Sequence, residues 1–336
     1  ILEGAFEDCS SLTEIELPSS ITDIKTETFK GCKSIQRIKM TSNITSISEG
    51  AFENCTSLTE IELPSTITKI SDGMFKGCHQ LQKLIIPILT NHIGKSAFED
   101  CSSLTEFEIP SSMKIINEKM FKGCTSLSKI IIPTNIENIE SNAFEYCSSL
   151  TEIELPSTIT TINDRAFKGC HQLQKLIIPI SIKDIGEGAF EDCSSLIEIE
   201  LPSSITEIKT ETFKGCTSLQ KIILPISIRD IGDKAFKNCS SLTEFEIPSI
   251  INIRNGLFKG CSSLHKIIIA PSIRTIGRKA FKGCSSLTEI KIPPSITNIK
   301  DNAFENCTLL TKINIPSSVK DIGKHCFENC SSLSDF

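Results

Sequence analysis

Residues 4–22 read GAFEDCSSLTEIELPSSIT, and residues 231–249 read IGDKAFKNCSSLTEFEIPS. Aligned on Cys9 and Cys239, both stretches have Ala-Phe just before the cysteine, Leu three residues after it and Pro nine residues after it. A motif of this length that recurs at distant places indicates an internal repeat. A fixed period largely determines the architecture of a chain, so we examined the period first.

The cysteines define this period. Fifteen of the 16 cysteines lie on one ladder, at positions 9, 32, 55, 78, 101, 124, 147, 170, 193, 216, 239, 261, 284, 307 and 330. Every interval is 23 residues except the one from Cys239 to Cys261, which is 22. That repeat has lost a residue around Ser249–Asn252, and we expect a local kink there.

The consensus over one period is C-x-x-L-x-x-I-x-I-P-x-x-I-x-x-I-x-x-x-A-F-x-x. The L-x-x-I-x-I segment predicts a short strand that ends at proline, which lacks an amide for the ladder. The I-x-x-I segment predicts a second extended piece, and A-F-x-x-C predicts a short helical or 3-10 turn. Gly, Asn or Asp precedes each ladder cysteine except at Tyr146, and we predict positive φ at this position throughout.

A single 23-residue unit cannot bury its own Leu, Ile, Phe and Cys side chains, whereas stacked units cover one another. We therefore predict a β-rich leucine-rich repeat solenoid of about fourteen and a half repeats, with neighbouring strands ~4.8 Å apart in one parallel sheet. It forms a single domain over residues 1–336. Both termini fall within a repeat, and we expect no capping domain in this segment.

The two quoted stretches resemble the BspA-like leucine-rich repeats, whose pattern is L-x-x-I-x-I-P-x-x-V-x-x-I-G-x-x-A-F-x-x-C. The resemblance recurs in every repeat. It implies a right-handed curved stack with a concave parallel sheet and short turns on the convex side. It also implies adhesion and protein binding at a cell surface, with a host-cell or matrix protein as ligand. The family has no catalytic residues to carry over.

Charge and hydropathy argue against other partners. The chain has 35 basic and 41 acidic residues, which is not the basic footprint of a nucleic-acid-binding protein. No apolar run reaches the ~20 residues that span a bilayer, so we expect no membrane insertion. The chain opens with Ile1-Leu2-Glu3-Gly4, in which no signal peptide is visible, and it lacks an initial Met, so we expect a fragment or a processed chain. The many unpaired cysteines would also fit the cytoplasm.

The cysteine ladder does not predict a metal or disulfide site. The motif C-x-x-C is absent, and stacked cysteines point the same way instead of converging on an ion. Parallel side chains also give poor disulfide geometry. We expect free thiols packed as small hydrophobic groups, with no metal and no cofactor. We also expect no catalytic residues, because no histidine is paired with a Cys or Ser column that breaks the repeat pattern.

A second period of 46 residues appears in the charges. Five residues after each ladder cysteine, acid and base alternate without a break from Glu14 and Arg37 to Glu289 and Lys312. Neighbouring repeats then attract one another, whereas a slip by one repeat would place like charges together. We interpret this column mainly as control of register; a mixed-charge binding surface is the alternative.

The outward column seven residues after each cysteine alternates Glu with Ile. We name its central part the Ile/Glu stripe: Glu62, Ile85, Glu108, Ile131, Glu154, Ile177, Glu200, Ile223, Glu246 and Ile268. Exposed Ile rimmed by carboxylates is one form that a partner-binding stripe takes. The alternative is that Ile serves β propensity alone and Glu side chains fold over it.

The sequence thus predicts a protein-binding or adhesion module that uses its concave sheet, and not an enzyme. The alternative is a structural spacer, or a scaffold that assembles end to end into homo-oligomers through its uncapped ends.

Overall fold

Each repeat folds as a strand, a turn at the proline, a second short strand and a series of turns, in a computed structural model that describes residues 1–335. These elements form a parallel-strand solenoid with the leucine-rich repeat fold, as predicted. The described residues make about 13 turns, so the predicted number of repeats is not confirmed. Two compact units, Ile1–His171 and Gln172–Phe336, are described in turn. The single domain over residues 1–336 stays a prediction.

In the first unit, one strand of each repeat follows the conserved leucine, and another of two residues follows the proline turn. We name them the longer and the shorter strand, although in each unit one of the former also has only two residues. The longer strands are β1 (Glu14–Glu16), β3 (Arg37–Lys39), β5 (Glu60–Glu62), β7 (Lys83–Ile85), β9 (Glu106–Glu108), β11 (Lys129–Ile131) and β13 (Glu152–Ile153). The shorter strands are β2 (Asp23–Ile24), β4 (Ser46–Ile47), β6 (Lys69–Ile70), β8 (His92–Ile93), β10 (Ile115–Ile116), β12 (Asn138–Ile139) and β14 (Thr161–Ile162).

The second unit repeats this alternation. Its longer strands are β15 (Lys175–Leu176), β17 (Glu198–Glu200), β19 (Lys221–Ile223), β21 (Glu244–Ile247), β23 (Lys266–Ile269), β25 (Glu289–Lys291) and β27 (Lys312–Asn314). Its shorter strands are β16 (Asp184–Ile185), β18 (Glu207–Ile208), β20 (Asp230–Ile231), β22 (Asn252–Ile253), β24 (Thr275–Ile276), β26 (Asn298–Ile299) and β28 (Asp321–Ile322).

The longer strands pair two by two, in parallel. The pairs are β1–β3, β5–β7 and β9–β11 in the first unit and β17–β19, β21–β23 and β25–β27 in the second. Each joins a strand that begins with Glu to the next strand, which begins with Lys or Arg. The expected single sheet of long strands is therefore wrong within each unit. One physical reason is that strands of two to four residues form few ladder hydrogen bonds. The strand pairs recur every 46 residues, which is also the period of the charge alternation.

Stacked phenylalanines form the core, because one Phe per repeat faces inward from the turn before each cysteine. The rings of Phe98 and Phe121 have centroids 5.6 Å apart with planes 10° from parallel. Phe121 and Phe144 are 5.5 Å apart. Phe107, which replaces Ile in β9, packs its edge against Phe121 at 4.9 Å. All four are buried, and the offset stacking is a favourable geometry for aromatic rings.

The segment before each cysteine is not a helix. Positive φ occurs before every ladder cysteine, as predicted, including Tyr146 at 62°. A second residue with positive φ lies four positions before it, such as Lys119 (55°) before Gly123 (74°). Two left-handed residues in one turn exclude a right-handed helix. The expected helical or 3-10 turns are therefore not confirmed, and residues 1–335 contain turns in their place.

The shortened repeat has a tighter turn, which is the kink expected from its missing residue. In the preceding repeat, the amide of Ile228 donates to the carbonyl of Pro225 at 3.2 Å, three residues back. In the short repeat, the amide of Ile250 donates to the carbonyl of Pro248 at 2.7 Å, two residues back. Ile250 stays buried, so the deletion is absorbed in the turn and the core column continues.

Candidate protein-binding face

The Ile/Glu stripe lies on the solvent side of the longer strands, which we name the long-strand face. Within a strand pair, the register places each Glu directly beside an Ile. These neighbours are Glu62 and Ile85, Glu108 and Ile131, Glu200 and Ile223, and Glu246 and Ile268. In parallel strands paired in register, residues at the same position of each repeat point to the same side of the sheet. Glu and Ile, which alternate from repeat to repeat in the sequence, therefore also alternate across this face.

All ten residues of the stripe are exposed. The exposed fractions of the isoleucines are 68% for Ile85, 47% for Ile131, 69% for Ile177, 43% for Ile223 and 49% for Ile268. Each isoleucine keeps at least 43% of its surface exposed, so the glutamates do not fully cover these side chains. The solvent exposure of the stripe is thus established by the structure, while its binding role stays a prediction.

The sequence reasoning missed a second set of exposed isoleucines. Ile88 and Ile226 are each 96% exposed and Ile180 is 77% exposed. Each directly follows the proline in a repeat whose strand also carries an exposed Ile. The signal was present, since most other repeats have Ser or Thr after this proline. A turn position that faces solvent has no packing requirement for Ile.

A groove of about 650 Å³ lies on this face in the second unit. Ile223, Ile226 and Ile268 line it, together with Pro225 and Pro248. The groove follows the junction between the pair β17–β19 and the pair β21–β23, and it includes the turn of the shortened repeat. The break between two strand pairs and the tighter turn therefore coincide with a concave apolar surface.

Charged groups of both signs surround the groove. Lys266 and Glu244 form an ion pair at 3.0 Å, and Glu246 also borders the groove. The guanidinium of Arg229 donates to the carbonyl of Ile226 at 2.8 Å, which holds it beside the exposed isoleucine. An apolar centre with a polar rim is the usual anatomy of a protein interface.

The charge column interpreted as register control forms weak contacts. Arg37 and Glu60 are 3.9 Å apart, and the pair Lys266–Glu244 belongs to the same column. More than half of each of these side chains is exposed. Such pairs contribute ~0–1 kcal/mol each, so the column adds little to stability, and control of register stays an interpretation of its alternation.

The ladder cysteines form no disulfide, and their thiols are buried except those of Cys9 and Cys330. Burial raises the pKa of Cys32 to about 11 and that of Cys261 to about 12. At neutral pH these thiols are therefore hydrogen-bond donors and not nucleophiles or ligands, which need the thiolate. In the part of the chain that the structure describes, no group of His, Cys, Asp and Glu is placed to hold a metal ion.

A family model and several solved structures are similar to this chain. The family described as BspA type leucine rich repeat region matches in 6 copies over residues 1–104, 114–243 and 251–336. No curated protein matches in sequence. Residues 1–335 also include no helix with the length and apolar character needed to cross a bilayer.

Three of the similar solved structures come from bacteria. A leucine-rich repeat protein from Bacteroides ovatus has 31% identity and a TM-score of 0.86, over 96% of this chain and 85% of that one. A leucine rich cell surface protein from Faecalibacterium prausnitzii has 26% identity and a TM-score of 0.59, over 96% and 87%. A leucine-rich repeat protein from Eubacterium ventriosum has 25% identity and a TM-score of 0.54, over 97% and 90%.

Proposed function

Because this chain belongs to the BspA-type leucine-rich repeat family, we propose that it is an adhesion-type protein-binding module whose ligand contacts the long-strand face along the Ile/Glu stripe. Leucine-rich repeat proteins generally act in protein–protein interaction, and the neighbours of this chain are non-enzymatic repeat proteins. The proposed ligand is a host-cell or matrix protein. The cell-surface description of the similar protein from Faecalibacterium prausnitzii supports a surface location.

The observation that carries this proposal is the regular exposure of isoleucine on the strands. Ile85 and Ile177 leave more than two thirds of their side-chain surface in water. Exposed apolar surface that recurs in register gains free energy, at roughly 25 cal/mol per Å², when a partner covers it. The glutamates between the isoleucines would keep the unbound face soluble and favour a partner with basic groups beside its apolar contacts.

The groove in the second unit is the proposed anchor point. Ile223, Ile226 and Ile268 line one concavity, and concave apolar surfaces are the usual locations of binding hot spots. Lys266 and Glu244 at the rim can pair with polar groups of the ligand.

The test measures binding to immobilised matrix proteins and to solubilised host-cell membrane proteins by biolayer interferometry. The variant Ile223→Lys/Ile226→Lys places two charges in the groove. The matched control Ile115→Lys/Ile322→Lys makes the same change at two exposed isoleucines on the shorter strands. Circular dichroism and thermal melts verify that both variants fold. We expect a partner to lose ~tenfold or more in affinity for the groove variant only.

Equal affinity of all three proteins for every partner would contradict the use of this face. It would favour the alternative prediction, a spacer or an end-to-end scaffold, which sedimentation over a concentration series would then examine.

A further inference from the structure

A second charged column lies in the turns, at the position two residues before each ladder cysteine; we name this surface the turn edge. In the first unit it alternates acid and base, and each Lys lies between carboxylates of adjacent turns. Lys122 is 3.7 Å from Glu99 on one side and 3.4 Å from Glu145 on the other. Lys76 also contacts Glu99, at 3.5 Å. The alternation thus neutralises the lysines of this edge.

In the second unit the alternation ends and four lysines follow one another: Lys214, Lys237, Lys259 and Lys282. They occupy directly adjacent turns. The amide of Asn238 donates to the carbonyl of Lys259 at 2.7 Å, and the amide of Gly260 donates to the carbonyl of Lys282 at 2.8 Å. No other stretch of this column places two lysines side by side.

The outer lysines of this run have carboxylate partners. Lys214 is 2.7 Å from Glu191 and 2.9 Å from Glu211, and Lys282 is 2.7 Å from Glu305. Glu211 is held strongly: partial burial alone would raise its pKa, but hydrogen bonds from Lys234 and Lys214 outweigh burial and lower the pKa to about 2.

The inner lysines do not have such partners. Within residues 1–335, neither Lys237 nor Lys259 has a carboxylate at ion-pair distance, and both are half-buried. Partial burial lowers the pKa of Lys259, and the ammonium groups of Lys237, Lys279 and Lys282 lower it further. The carboxylate of Glu305 partly opposes this lowering, but it is already paired with Lys282 at 2.7 Å. Several cations thus share one small region with a carboxylate that already has a partner, although the overall chain is acidic.

We propose that Lys237, Lys259 and Lys279 form a binding site for a compact ligand that carries at least two sulfate or phosphate ester groups. The backbones of adjacent turns lie ~4.8 Å apart along the stack, and the charges of Lys237 and Lys279 both act on Lys259, so the three side chains can reach neighbouring ester groups of one ligand. Charge-assisted hydrogen bonds between ammonium and such oxyanions are the strong kind. A single-stranded nucleic acid fits less well, because base stacking needs exposed aromatic side chains, whereas the chain has one Tyr and no Trp, and most of its 18 phenylalanines are buried.

The test uses Lys237→Glu, which restores the alternation of Lys214, Glu and Lys259 and should preserve or raise thermal stability. The control Lys33→Glu makes the same charge change at an exposed lysine of the first unit. Isothermal titration calorimetry on the full chain uses two probes, a fully sulfated heparin tetrasaccharide and inositol hexakisphosphate. The desulfated tetrasaccharide and a single-stranded oligonucleotide serve as comparison ligands.

We expect at least one probe to bind the native chain, with an affinity that falls as salt rises. Lys237→Glu should weaken this binding by ~tenfold or more and Lys33→Glu by less than ~twofold. Binding of only the tetrasaccharide would assign a sulfated glycan, and binding of only the inositol phosphate would assign a phosphate ester. Equal losses in the two variants, no binding of either probe, or preferred binding of the oligonucleotide would overturn the proposal. This site is distinct from the long-strand face, so its failure leaves the proposed function intact.

Discussion

The Sγ atom of Cys101 lies 3.1 Å from the carbonyl oxygen of Phe75, twenty-six residues back in the chain. The same carbonyl accepts the amide of Cys78 at 3.1 Å. One oxygen therefore closes the turn of its own repeat and holds the thiol of the next. The relationship recurs along both units, for example between Cys124 and Phe98 at 3.2 Å. It gives a physical reason for cysteine at this position: the side chain is small, apolar and still a weak donor.

Loss of one ladder thiol should weaken the stack locally. We expect Cys101→Ala to lower the free energy of unfolding by ~1–2 kcal/mol, because it leaves a small cavity and removes a donor. Cys9→Ala, at an exposed ladder position, should change it by less than ~0.5 kcal/mol. Urea denaturation measures both, and equal losses would show that the thiol–carbonyl contact does not stabilise the core.

The ladder thiols should also make stability depend on alkaline pH. Burial raises the pKa of Cys261 from its ordinary value of 9.0 to about 12. The protonated thiol is favoured in the folded state, so its contribution is complete below pH 9 and is lost as pH rises toward 12. The loss approaches ~1.4 kcal/mol per pH unit for one thiol. Denaturation midpoints of the native chain and of Cys261→Ala, measured from pH 8 to 11, should converge as pH rises; parallel curves would contradict the linkage. Titration of the lysines affects both proteins equally, so it does not change the difference between their midpoints.

An interior phenylalanine should matter more than one at the end of the stack. Phe121 is fully buried and contacts rings on the turns before and after it. We expect Phe121→Ala to lower the free energy of unfolding by ~3–5 kcal/mol. Phe6 is only partly buried and stacks on Phe29 alone among the described rings, so Phe6→Ala should cost less than half as much. Thermal and urea denaturation provide the comparison, and similar losses would argue against nearest-neighbour stabilisation.

Glycine before a ladder cysteine leaves room for a large residue at the same position of the preceding turn. A Cβ atom on Gly169 would come within 2.5 Å of the Tyr146 ring, whereas one on Gly283 would meet nothing closer than the Gly260 Cα atom at 3.7 Å. Both glycines have positive φ, so Ala costs ~1–2 kcal/mol at either position. Gly169→Ala should cost ~1–3 kcal/mol more, because the tyrosine must move. Differential scanning calorimetry of the two variants measures the difference, and equal melting temperatures would exclude this steric cause.

Much of the candidate site could be predicted, because successive residues of a strand point alternately to the core and to solvent. The pattern of residues placed the five stripe isoleucines outside and the phenylalanines inside, and both positions agree with the structure. Positive φ at Tyr146 was predictable because the column it occupies is otherwise Gly, Asn or Asp. A repeat multiplies such signals, since each position is observed many times in one chain.

Other features carried no local signal. The second left-handed position holds residues as different as Glu27, Lys119 and Arg165, so composition does not reveal it. Hydrogen bonds to the next turn impose it instead: the amide of Lys119 donates to the carbonyl of Ser141 at 3.1 Å. This conformation also explains why the expected helical turns are not found.

The sequence by itself determined the period, the parallel stacking, the inward and outward columns and the break in charge alternation at Lys237, because each of these depends on residue type at fixed spacing. Only the tertiary structure decided which strands join in pairs, where the groove opens between them, and which lysines keep a carboxylate partner. Those outcomes depend on distances between turns, and a shift of a few tenths of an ångström can decide whether a ladder hydrogen bond or an ion pair forms.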